Sequence, residues 1–519
     1  MSVTRRAALS RSLALAAGAA AFLQARPTRA AEPVRFAGDP FKLGVASGDP
    51  SAEGFVIWTR LAPNPFEPDG GMGERVAEVK WSVAADAGFK QVVRAGTAVA
   101  HPERAHAVHV ELTGLESDRP YWYRFEAGGV RSPAGRGRTL PPVGAPKDRF
   151  RLAWVSCQHF EQGWFTAYKD MVAWNPDLVL HLGDYIYESS FGQQVRRHPT
   201  LEPRTLADYR VQHAVYKLDE FLQQAHAAAT WAVIWDDHDV ENDYAGLTPE
   251  NPADLADFPA RRAAAYQAFF EHLPIARRSL VSRGEMRIYQ QLAVGDLLQL
   301  VLLDGRQYRT PRACVDPARW RSTLKACPDA AAPDRSMLGS DQEYWLGVTL
   351  DRSVTRWQTI VQPSMFAHFF QKTPQGEYGA YQDGWSAYPA ARQMILDRLS
   401  RRAKQDVVIL GGDMHSFFAN DVRADWSKPD SPLVAAEFIS GSITTHNYNY
   451  DRWTRIIAEP ENAHIKFFDD RVHGWGACDI GRDRWSVEFR AGSVWTRDPT
   501  FATLKRFTVE HGRAGVQPG

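Results

Sequence analysis

The chain has 519 residues, 61 of them basic and 61 acidic, so its formal net charge is zero. That balance, without a basic block, disfavours nucleic acid and anionic membrane surfaces as partners. The length predicts two domains, and no segment after the first thirty residues is long and apolar enough to span a bilayer.

Thr4-Arg5-Arg6 precedes an Ala/Leu run from Ala7 to Leu23, and Thr28-Arg29-Ala30 offers a small-residue cleavage site. This pattern predicts a secretory signal over residues 1–31, and the paired arginines point to the twin-arginine export machinery. That route carries folded protein, so a metal could be inserted before export to the periplasm or beyond.

From residue 38 to 140 the texture is all-β. Gly54–Arg60, Glu78–Val83, Ala107–Leu112 and Tyr121–Phe125 are short runs between turn residues, several with period two, which predicts a β-sandwich. Leu115 followed by Tyr121 and Tyr123 looks like the late-strand pattern of a fibronectin-type or immunoglobulin-like sandwich. The Pro/Gly-rich stretches Ser132–Thr139 and Pro141–Pro146 predict a domain joint.

Over 148–500 strands alternate with helical stretches. Phe150–Ser156, Leu178–Leu182, Leu297–Leu303, Gln358–Val361 and Asp406–Leu410 read as buried strands. Trp164–Trp174, Asp219–Ala229 and Phe258–Leu273 read as helices, and the alternation predicts a layered α/β domain. Arg312–Leu338 is polar and reads as an inserted loop. Its Cys314 and Cys327 bracket a short stretch of an exported chain, which predicts a disulfide worth roughly 3 kcal/mol. Cys478 is expected to be a free buried thiol, and His473 to be structural.

Four segments place metal-type residues just after a strand, where open α/β sheets bind ligands. They are Cys157 after Val155-Ser156, Asp184 and Tyr187 after Leu178–Leu182, Trp235–Tyr244 after Trp231–Ile234, and Gly411–Ser416 after Val407–Leu410. Singly, each has a plain explanation: a small buried Cys, a packing Tyr, a satisfied core His, an Asp-rich helix start. Together they are a thiol, a phenol, imidazoles and carboxylates at adjacent strand ends. Unpaired charges are costly in a core, and metal ions offset that cost.

Gly183-Asp184, Asp237-His238-Asp239 and Gly412-Asp413-Met414-His415, in that order, resemble the calcineurin-like metallophosphoesterase signature. The variant resembles the PhoD-like alkaline phosphatases and phosphodiesterases, with support from Gly44–Pro50, Val56–Arg60, Ser156–Gln158, Leu303–Arg309 and Glu437–Ser442. The resemblance implies an αββα-layered catalytic domain after a small all-β domain. The chain departs from the general signature at Ser156-Cys157, Asp237 and Asp413, where Asp-x-His, Asn and His are usual. Cys157, Tyr187 and His415, with bridging Asp184, then suit Fe3+. Asp237, Asp413 and neighbouring Asn242 suit Ca2+, and the family uses such an iron and calcium cluster.

The expected reaction is attack of a metal-activated hydroxide on a phosphate ester of small-molecule size. His238, oriented by Asp239, is placed to contact phosphate or protonate the leaving group. Arg306 and Arg309 are expected to grip the phosphate, and Tyr308 to line the entrance. Within the fold the alternative is a phospholipase D-like activity. From another class it is a non-catalytic exported binding protein, against which the complete ligand set argues. A monomer is expected.

Overall fold

The computed structural model describes residues 34–519 except 281, 283, 316–323, 326, 374, 382, 402–405 and 448, so the predicted signal over 1–31 lies outside the described residues. Leu178–His181 is a central strand, as its unbroken apolar run requires, and is buried along its whole length. It pairs in parallel with Arg149–Val155 on one side and Thr230–Val233 on the other. All three strands therefore end on the same edge of the sheet, and the loops after them carry Cys157, Asp184 and Asp237.

These strands lie in a ten-stranded mixed sheet. A seven-stranded sheet lies against it, with a parallel core of Leu298–Leu302, Trp357–Val361, Asp406–Gly411 and Leu433–Ile439. Alternate side chains of these strands go to opposite faces, as the period of two demands. Leu300, Leu302, Val408 and Leu410 join the large core shared with the first sheet. Val301, Leu303, Val407 and Ile409 face a second core with Leu346 and Leu350 of helix Ser340–Arg352 and Leu396 and Leu399 of helix Pro389–Ser400. On the other side, Tyr168 and Met171 of helix Ala167–Trp174 and Leu222 and Ala225 of helix Glu220–Ala228 join the large core. The two sheets thus lie between helical layers.

Two domain expectations need correction. The N-terminal strands do form two sheets around their own apolar cluster of Phe55, Ile57, Val79, Val83, Tyr123 and Phe125. The Tyr121 hydroxyl also accepts the Glu116 N–H at 2.9 Å, a tyrosine-corner bond. However, one of those sheets is not separate. Val45–Gly48 pairs in parallel with Thr230–Val233, so Val45–Gly48, Val56–Arg60 and Ala107–Glu111 extend the ten-stranded sheet. At the other end, Ala502–Glu510 and Arg513–Pro518 complete that sheet, so the α/β domain does not stop at residue 500. Neither join has a local sequence signal, because hydrogen bonding between strand edges depends on partners remote in the chain.

Predicted helices and strands occur with small shifts at their ends, for example Ala167–Trp174 and Phe258–His272. The helix Leu206–Lys217, opened by a reciprocal Thr205/Asp208 capping box, is an addition to the sequence reading. Cys314 and Cys327 are joined, while Cys157 and Cys478 are free and buried. The segment read as an inserted loop also supplies the short strand Leu324–Lys325, which pairs with Tyr378–Tyr381.

Candidate active site

Gly183 has φ +106°, and a Cβ there would run into the backbone nitrogen of Asp236. Only glycine lets the Asp184 turn approach the Asp236 turn so closely. Beyond it the backbone is strained: Cys157, Asp184, Asp243, Asp413 and His415 all have positive φ, between 51° and 61°. Non-glycine residues in this region cost energy and gather at functional sites. Here the left-handed turns aim side chains from separate strand ends into one cavity of about 500 Å³, lined by Asp184, Asp237, His238, Asp243, Asp383, Asp413 and His415 among others.

Ligand-type atoms of Cys157, Asp184 and His415 lie within 4.8 Å of one another. The Tyr187 hydroxyl joins them, at 2.8 Å from Asp184 Oδ2 and 3.2 Å from His415 Nε2. Asp184, Asp236 and Asp237 form a second such set, and Asp237, Asp243 and Asp383 a third. Asp184 and Asp237 each belong to two sets, as bridging carboxylates do. Asp413 lines the same cavity, and burial together with the charges of Asp236 and Asp237 pushes its carboxyl well up.

The electrostatics ask for cations. Burial, with crowding by Asp237 and Asp236, raises Asp184 far above the carboxylate range. Burial and the Asp184 charge push the Cys157 thiol and the Tyr187 phenol far up as well. His415 is pushed down to about 3 by burial and by His238, so it is neutral and ready to ligate. Asp236 Oδ2 is buried without a hydrogen bond. A donor set of this kind fits bound metal ions.

His238 is held differently from the sequence reading. Its Nδ1 bonds Glu188 Oε2 at 2.7 Å, so Glu188 orients it. Glu188 also accepts the Asn242 N–H at 3.0 Å. Burial opposes charge on His238, but Glu188, Asp237 and Asp184 outweigh it and raise its pKa well above the usual value. Asp239 instead accepts four backbone N–H bonds, from Asp184 (2.9 Å), Asp236 (3.0 Å), Tyr185 (3.0 Å) and Ile186 (3.2 Å). It staples two ligand-bearing turns together and does not touch the His238 ring.

Arg306 and Arg309 also need correction. Both are buried and neither lines the cavity. Arg306 pairs with Asp236, with Asp237 at 3.2 Å and with Asp383 at 2.8 Å. Arg309 pairs with Asp383 and donates to its carbonyl oxygen at 3.0 Å. They neutralise and position carboxylates, leaving no free fork for a phosphate. Tyr308 packs against Tyr289 and is not at the entrance. That place is taken by Tyr381, an exposed residue of the cavity lining.

Asn242 lines the cavity but belongs to none of the clustered sets, in which Asp243 stands. Glu188, Asp236, Asp243 and Asp383 were not singled out from the sequence. Asp236 and Asp243 lie inside Trp235–Tyr244 and Glu188 directly follows Tyr187, and their acidic character was the available signal. Asp383 follows the short strand Tyr378–Tyr381 and has no such context. A second cavity of about 710 Å³, between strands Val92–Ala100 and Ala107–Glu111, contains none of the clustered ligands.

The sequence model of the PhoD-like phosphatase family matches residues 152–489, and that of the PhoD-like phosphatase N-terminal domain matches residues 27–141. The chain belongs to the PhoD-like phosphatase family. It is 40% identical over 493 residues to alkaline phosphatase D of Bacillus subtilis (strain 168), covering 93% of this chain and 83% of that protein. A solved structure described as that of PhoD superposes with a TM-score of 0.88 at 38% identity, covering 93% of each chain. The family match spans every residue of the three clustered sets, from Cys157 to His415.

Proposed function

We propose that the protein is a metal-dependent phosphoric ester hydrolase of the alkaline phosphatase and phosphodiesterase kind. The observation that carries this reading is the chain of three ligand sets linked through Asp184 and Asp237. A neutral imidazole, a thiol and a phenol at one end suit ferric iron. The all-oxygen sets at the other end suit calcium. Iron would be held by Cys157, Tyr187 and His415 with Asp184; calcium by Asp237 and Asp413 with Asn242, to which Asp243 and Asp383 are added here. When bound, these ions supply positive charge to phosphoryl oxygens and acidify a water for attack on phosphorus.

The chain's own residues do the rest. His238, presented by Glu188 through Nδ1, keeps Nε2 for the substrate and gives its proton to the departing alkoxide. Arg306 holds Asp236, Asp237 and Asp383 in place against their mutual repulsion. Met365, Phe369 and Trp385 wall the cavity and exclude water from the ester. Export through the twin-arginine route fits both the N-terminal pattern and the Cys314–Cys327 disulfide, a bond of oxidising compartments.

The test is elemental analysis of the purified protein together with phosphate release from simple esters. Iron and calcium should co-purify, chelation should abolish turnover, and Asp184→Asn should lose both metal and activity. Full activity in metal-free protein would overturn the reading.

A further inference from the structure

Five carboxylates line the active-site cavity: Asp184, Asp237, Asp243, Asp383 and Asp413. Among the described lining residues Arg452 is the only Arg or Lys. It stands on the short helix Tyr450–Ile457, and among the described residues it has no hydrogen-bond or ion-pair partner.

The helix is fixed against the cavity from two sides. Trp453, Ile456 and Ile457 pack on an apolar cluster with Met365, Phe369 and Phe418, and the Trp453 ring lies 5.7 Å from that of Phe369. At its start, Asn449 Nδ2 donates to Asn447 Oδ1 at 2.6 Å. Asn447 Nδ2 in turn donates to the Met414 carbonyl at 2.9 Å. Met414 sits between Asp413 and His415. The helix is therefore tied by side-chain bonds to the turn that carries two of the candidate metal ligands. Trp453 is half-buried in that cluster, and its neighbour Arg452 is exposed while lining the same cavity as the five carboxylates.

An unpaired guanidinium in a cavity otherwise rich in carboxylates has an evident complement, an anion brought by the substrate. The scissile phosphoryl group belongs at the floor, with the ligand sets. We propose that Arg452 is a specificity-determining residue that binds a second anionic group of the substrate, while Phe369 and Trp453 pack on the segment between the two. The substrate class is then a phosphate ester with a further phosphate or carboxylate some carbons away. This inference rests on the phosphoesterase reading of the floor.

The experiment compares an alkanediol bisphosphate with the alkyl monophosphate of the same chain length, in the metal-loaded enzyme, by phosphate release. Wild type should prefer the bisphosphate, mainly through a lower KM. In Arg452→Gln the ratio of the two kcat/KM values should fall about tenfold, in Arg452→Glu further, and in Arg452→Lys less, since a point charge replaces a fork. The wild-type preference should also shrink with added salt. A ratio unchanged in the Gln and Glu variants would overturn the proposal. If wild type hydrolyses neither ester, the phosphoesterase reading fails instead. Calorimetric binding of both esters to wild type and Arg452→Gln still reads the contribution of Arg452 in that case.

Discussion

At the scale of single residues, His238 and its two acidic neighbours divide their labour. Glu188 touches the imidazole at 2.7 Å, and Asp239 holds backbone. Glu188→Gln should therefore lower kcat about tenfold to a hundredfold. The loss should be larger for alkyl esters than for nitrophenyl esters, whose leaving group needs no proton. Asp239→Asn should instead lower the melting temperature and the metal content, because a carboxamide cannot accept all four N–H bonds. Leaving-group dependence in the Asp239 variant, and none in the Glu188 variant, would reverse the assignment. A second prediction concerns Cys157 and Tyr187, both pushed up by burial and the Asp184 charge. Each must lose a proton to ligate a metal. Loading chelated protein with ferric iron should release protons, and Tyr187→Phe should release one fewer and lose visible charge-transfer absorption. Equal proton release by the two proteins would remove Tyr187 from the ligand set.

At the scale of elements, the segment after strand Leu298–Leu302 delivers Arg306 into the carboxylate cluster. Breaking a buried ion pair by removing one partner costs about 3 to 5 kcal/mol, because the other charge is left uncompensated. Arg306→Met should destabilise the chelated protein by about that amount in urea unfolding, and added calcium should recover part of the loss. A variant of wild-type stability with only a raised KM would restore the phosphate-gripping role expected from the sequence. The same element shows why that expectation failed. A guanidinium after a buried strand next to a phosphate-type signature reads as a substrate ligand. Three aspartates, one of them 77 residues away at Asp383, occupy it first.

At the scale of the whole molecule, pH acts on two opposed sets of groups. Burial lowers the pKa of His109 to about 4 and of His181, His213 and His473 to about 3. Their unfolded values are near 6.5, so below that the unfolded chain binds more protons. This contribution is complete above about pH 6.5 and is lost as pH falls toward 3. The site carboxylates have the opposite sign: Asp236 and Asp239 are raised by burial to about 7. Their share is lost as pH rises from about 4 to 7, unless cations offset their charge. Metal-loaded protein should therefore gain melting temperature from pH 5 to 7 and then stay level into the alkaline range. The stabilisation by added metal should be larger at pH 8 than at pH 5. Metal stabilisation equal at both values would mean that Asp236 does not meet the ions.

The sequence by itself determined the local parts: the apolar runs that become central strands, the Cys314–Cys327 pair, and the order of Cys157, Asp184, Asp237 and His415 along the chain. These follow from burial period, turn chemistry and residue type, all local properties. It also placed the candidate ligands at strand ends, because parallel strands of one sheet end on one edge. Only the tertiary structure decided which charge meets which. Glu188 rather than Asp239 takes His238, Arg306 serves carboxylates rather than substrate, and Asp383 enters from a distant loop. The continuity of the N-terminal strands with the catalytic sheet was decided there too. A charge–charge distance and a strand-edge pairing both depend on residues far apart in the chain, and no local pattern encodes the separation between them.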